Sequence, residues 1–98
     1  MSSDRDRSAD PTPVPQDHVV FTDLDGVEGV LVDLDSKQYF QLNATASLIW
    51  RGVARGLGAA RIAEELAAEY EVTLTQARAS VDRTLRELLD QRLVSPPA

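Results

Sequence analysis

Residues 39–50, YFQLNATASLIW, join two periodicities without a spacer. Tyr39 to Leu42 have the bulk and alternation of a strand. Ala46, Ile49, Trp50 and Val53 then recur at spacings of three and four, which is one face of a helix. Asn43, at the junction, is a residue type whose side-chain oxygen caps the free amides at a helix start. A strand therefore runs straight into a helix, and the fold follows from what lies on either side.

Upstream, HVVFTDL (18–24), EGVLVDL (28–34) and KQYFQL (37–42) are dense in β-branched and aromatic residues, and Asp25-Gly26-Val27 and Asp35-Ser36 separate them. Aspartate and glycine there are turn signals, so three antiparallel strands in a meander are expected. Alternation puts Val30, Val32 and Leu34 on one face of the second strand, with Leu31 and Asp33 on the other. In the third strand, Leu42 and Phe40 lean inward, which leaves Tyr39 and Gln41 on the opposite face.

Downstream, the first helix runs to about Arg55 and is stopped by Gly56 and Gly58. A second, about 59–70, aligns Ile62, Ala63, Leu66, Ala67 and Tyr70 on one stripe. Thr73 with Gln76 three residues on is a capping box, and it opens a third helix that reaches about Gln91. Ala77, Val81, Leu85 and Leu88 form the apolar line of that helix, and Leu89 widens it. The expected architecture is α+β: a three-stranded antiparallel sheet followed by three helices, like a winged helix-turn-helix.

Ninety-eight residues make one domain, with a core that buries about 60–65% of the unfolded chain's surface. Residues 1–17 are polar and proline-rich with no apolar period, so the expectation is a disordered tail before a domain over 18–95. There is no cysteine, and His18 stands alone, which excludes disulfides and thiolate metal sites and leaves no metal or cofactor site expected. No apolar stretch is long enough to span a bilayer, and the N-terminus lacks the apolar core of a signal peptide, so a cytoplasmic protein without membrane contact is expected. Sixteen acids against ten bases argue against nucleic acid. Residues 18–71 hold nine acids and four bases, a net -5 that favours a basic partner, with Asp33 or Asp82 as candidate contacts.

No nucleophile sits near a base in the pattern of an enzyme. Asp23, Asp25, Asp33 and Asp35 fall at turns and strand ends rather than in a cation loop, and GVARGLG lies between helices rather than after a strand. The chain reads as a binding module and not as an enzyme. Two uses of the fold are open. Arg78, Arg83 and Arg86 on the third helix suit a DNA regulator, though Asp82, Glu87 and Asp90 lie among them. The third strand, an edge tied to the first helix, suits an extended peptide that adds as a further strand.

LVDLDSKQYFQLNATASLIW (31–50) and IAEELAAEYEVTLTQARASVDRTLRELLDQRLV (62–94) resemble the PqqD-like family in the turn, the aromatic pair, the Leu-Asn step and the Ile-Trp pair. Ala46 departs from the family, in which glycine is frequent at that position. The resemblance implies a recognition element for ribosomally made, post-translationally modified peptides (RiPPs). It is most like the discrete leader-binding proteins of lasso peptide biosynthesis, which work with a leader peptidase and a cyclase. A peptide chaperone for a radical enzyme, as in quinone cofactor synthesis, is the alternative within the family. The family's leader site, between the third strand and third helix, implies Lys37, Gln38, Tyr39, Phe40 and Gln41 on the pairing edge. Arg78, Val81, Asp82, Leu85, Arg86 and Leu89 are implied on the helix wall. Of these, Val81 and Leu85 double as core positions in the periodicity.

Overall fold

The computed structural model of the protein describes residues 13–96. A two-residue strand β1 (Val14–Pro15) precedes a meander of β2 (Val19–Asp23), β3 (Gly29–Asp33) and β4 (Gln38–Leu42). Helices α1 (Ala44–Ala54), α2 (Ala59–Tyr70) and α3 (Leu74–Asp90) follow, and β5 (Val94–Ser95) closes the order. The meander is antiparallel with β3 in the middle, so β2 and β4 are its two edges. Three strands followed by three helices are the α+β, winged-helix-like architecture expected from the sequence.

Aspartates hold both bends of the meander. The Asp25 carboxylate accepts the amides of Glu28 and Val27 at 2.7 and 3.0 Å, and Asp23 accepts that of Gly26 at 2.7 Å. Those bonds favour the ionised form and keep the Asp25 carboxyl below the usual carboxylate range. Gly26 takes a φ of 84°, a conformation that costs little without a Cβ. At the second bend Asp33 accepts the amides of Asp35 and Ser36 at 3.0 and 3.2 Å. Burial pushes the Asp33 carboxyl up, but the bonds from Ser36 and Asp35 and the nearby His18 outweigh it and leave the group below the usual range.

The helix starts follow the sequence signals. Asn43 caps α1 by accepting the Ala46 amide at 2.8 Å, and the buried Ser47 hydroxyl donates to the Leu42 carbonyl at 3.2 Å. Strand and helix are thereby fixed to each other across one residue. Thr73 and Gln76 form the reciprocal capping box of α3. Gly52, inside α1, lets α2 approach: a Cβ there would lie 2.7 Å from Ile62 Cγ1. Trp50, Ile49, Ile62, Leu66, Val81 and Leu88 are buried together in one core.

Phe21, Leu31 and Phe40 stand in one cross-strand row that faces the helices. Leu31, fully buried, therefore marks the inner face of β3. Tyr39 is on the outer face with 73% of its surface exposed.

Residues 13–17 do not match the expected tail. Val14 pairs with Ser95 and Pro15 with Val94, the Gln16 amide donates to the Leu93 carbonyl at 3.2 Å, and Pro13 is buried. This contact joins positions about eighty residues apart, and a proline-rich strand at a sheet edge gives no local signal. The remainder of the expected tail, residues 1–12, lies outside the described residues.

Candidate functional site

Which main-chain groups of the edge strands are free follows from the ladder. The Leu34 amide donates to His18 O at 2.8 Å, and the Leu24 amide to Glu28 O at 3.0 Å. Opposite pairs in an antiparallel ladder alternate between bonded and non-bonded. In the register of β2 with β3, Val20–Val32 and Thr22–Val30 are then the bonded pairs. Leu31 and Asp33 turn their main-chain groups the other way and bond Phe40 and Gln38 of β4. Tyr39 and Gln41 are left with amide and carbonyl aimed at open space beside the sheet.

Beside that edge lies a groove of about 410 Å³. Phe40, Gln41 and Leu42 form its strand side, and Asn43 and Ala46 bring in the start of α1. Its far wall is α3, through Thr84, Glu87, Leu88 and Gln91, and Leu93 closes the end. Its floor is apolar and its rim polar, with Glu87 as the one charged lining residue among the described residues. An extended chain laid along β4 finds backbone partners at Tyr39 and Gln41, and drops alternate side chains onto Phe40, Leu42 and Leu88.

The expected site residues divide sharply. Tyr39, Phe40 and Gln41 stand at the edge and groove, and Gln38 begins the same strand. Lys37 belongs to the turn: its φ is 64° and its amide already donates to the Asp33 carbonyl at 2.7 Å. On α3 the expected wall departs from the geometry. Val81 is fully buried and Leu85 keeps only 8% exposure, so both are core. Arg78, Asp82 and Arg86 are exposed and Leu89 half-buried, but at 100° per residue all four point to the opposite flank of α3 from Thr84, Glu87 and Gln91.

Asp33 is likewise unavailable to a ligand, since its carboxylate is taken by the hairpin amides and lies 3.7 Å from His18. The α3 residues that line the groove had a weak signal in the sequence. Thr84 and Gln91, with Ser80 one turn earlier, make a polar stripe whose single charge is Glu87, on a helix otherwise crowded with charge. Among the described residues no group of three or more His, Asp or Glu side chains is placed to hold a metal. No helix among them is long and apolar enough to cross a membrane.

The chain matches the family described as coenzyme PQQ synthesis protein D (PqqD) over residues 28–94. It belongs to the PqqD family. A structure of TbiB1 in complex with the TbiA(beta) leader peptide is similar at a TM-score of 0.79 and 30% identity, covering 87% of this chain and 98% of that one. Lasso peptide synthetase B1 complexed with the leader peptide is similar at 0.73 and 30%, covering 85% and 95%. No curated protein matches the sequence.

Proposed function

We propose that this protein binds the leader of a ribosomally made precursor peptide as a strand added to β4. It then presents the precursor to a leader peptidase and a cyclase in lasso peptide biosynthesis, in the cytoplasm where the precursor is made. The observation that carries the reading is the free edge at Tyr39 and Gln41, set over an apolar groove. The solved relatives, similar over nearly their whole length, are complexes with leader peptides. Pairing along β4 supplies affinity that is insensitive to the leader's sequence, while the groove at Phe40, Leu42 and Leu88 selects apolar side chains. A leader cation is read by Glu87, with a contribution of about 0.2–1 kcal/mol at such an exposed rim. The protein binds and carries out no chemistry of its own.

Titration of fluorescein-labelled leader peptides, taken from precursors encoded beside the chain, tests the proposal by polarisation. Saturable binding by one of them is expected. Failure of all of them, together with salt-sensitive binding to promoter DNA, would replace the reading with that of a winged-helix regulator.

A further inference from the structure

The outer face of the sheet carries an apolar row that ends on an exposed tyrosine. Val20 stands opposite Val32, and Val32 opposite Tyr39, so the three side chains line up across β2, β3 and β4 on the face turned away from the helices. Antiparallel sheets with one wet face usually keep polar residues on it. Here neither this row nor the next, formed by Thr22, Val30 and Gln41, holds a charge. Val20 is exposed and Val32 half-buried. Of the two tyrosines, Tyr70, expected on the core stripe of α2, keeps 40% of its surface exposed, whereas Tyr39 keeps 73%, the most of any large apolar side chain among the described residues.

Tyr39 ends this row at the same edge that offers its free amide and carbonyl. Val32 and Tyr39 are a non-bonded pair of the ladder, the kind whose side chains stand closer together. On the other side of Tyr39 no strand follows among the described residues. A strand added there supplies the missing neighbour. Residues side by side in adjacent strands point to the same face, whichever way the added strand runs. The residue that pairs beside Tyr39 therefore cannot enter the groove. Its side chain stands on the outer face, next to the tyrosine ring, while the following residue faces the groove over Phe40. A charged or small side chain at that place leaves the ring in water. An aromatic or β-branched one covers it and adds the cross-strand contact that such pairs make.

We infer that the leader is read on both faces of its strand, and that Tyr39 selects an aromatic or β-branched residue on the outer face, which continues the row of Val20, Val32 and Tyr39. The inference rests on leader addition at β4 and deepens it. Main-chain pairing by itself accepts any sequence, and the groove reads only every second residue. Tyr39 supplies selection at a residue between those, so the paired stretch of the leader holds apolar side chains at adjacent positions rather than in simple alternation.

The test is a double-mutant cycle on the full chain. Labelled leader peptides from precursors encoded beside the chain, and a set in which each residue of the one that binds is exchanged in turn for serine, are titrated against the natural protein, Tyr39→Thr and Tyr39→Phe. Threonine keeps the strand preference and removes the ring, so Tyr39→Thr should lower affinity about fivefold at an unchanged melting temperature, and Tyr39→Phe should stay within about twofold of the natural protein. One aromatic or β-branched leader residue should show coupling: its exchange for serine weakens binding to the natural protein about fivefold and to Tyr39→Thr by less than about twofold. Groove-facing leader residues should lose equally on both. The inference is overturned if Tyr39→Thr binds as the natural protein does, or if no leader residue couples to position 39. It is overturned as well if the coupled residue is charged, or if Tyr39→Phe loses as much as Tyr39→Thr, which would give the role to the hydroxyl. Self-association of the free chain that Tyr39→Thr abolishes would assign the row to a second copy instead. Each of those results leaves leader addition at β4 standing, whereas failure of every leader to bind the natural protein would overturn both.

Discussion

Replacing Gln41 by proline separates the two sides of β4. The Gln41 amide points away from β3, so a proline there removes no bond of the sheet, and edge strands tolerate proline where the amide faces solvent. The fold should survive. A leader strand, however, loses its donor at that position, and its carbonyl is left unpaired under the added strand. An unsatisfied buried group costs about 1–3 kcal/mol, which at 1.4 kcal/mol per decade is a loss of roughly five- to 150-fold in affinity. Phe40→Pro, one residue away, should behave in the opposite way. It takes an amide out of the ladder and a half-buried ring out of the core row with Phe21 and Leu31, a loss of about 3 kcal/mol or more. Thermal melts by circular dichroism, read beside leader polarisation, distinguish the two. If Gln41→Pro melts as badly as Phe40→Pro, or keeps full leader affinity, the assignment of the free edge is wrong.

On α3, Thr84→Arg fills the groove and should lower leader affinity at least tenfold with little change in melting temperature. Leu85→Arg forces a charge into the core and should unfold much of the population; comparable melts for the two variants would contradict this division. Chains beginning at residue 13 and at residue 17 should differ in melting temperature by at least about 5 °C, since β1, the Gln16 bond and the buried Pro13 are lost together; equal melts would show that the β1–β5 contact contributes nothing. Because Asp25 and Asp33 are held below the usual carboxylate range near 4, their contribution is complete above that range and is lost as pH falls through their folded values. Melting temperature should therefore drop below about pH 4, and less steeply in Asp33→Asn; identical slopes would remove Asp33 from the cause.

What was legible in the sequence was local. The aspartates at the bends, Asn43 at the strand–helix junction and the Thr73–Gln76 box each act within four residues, and each does in the structure what its residue type suggests. Phe40 and Leu42 face inward because alternation is forced once Leu42 must meet the helix. The missed features depend on contacts distant in sequence. Proline-rich residues 13–16 gain order by pairing beyond residue 92 and by contact with α1. The core stripe of α3 was found, but both of its flanks are polar. Which flank faces β4 is set by how the helix lies against α1 and the sheet, and periodicity carries no information on that. Val81 and Leu85 were assigned two roles for the same reason, and burial leaves them one.

Hydrogen exchange at three consecutive residues of β4 tests the leader site most directly. In the free protein the Phe40 amide should exchange slowly, bonded to Leu31, while those of Tyr39 and Gln41 exchange fast. Saturating leader should slow Tyr39 and Gln41 by at least tenfold and change Phe40 little. Protection that appears at Phe21 and Asp23 instead, or at none of these amides while the leader is bound, would contradict leader addition at β4.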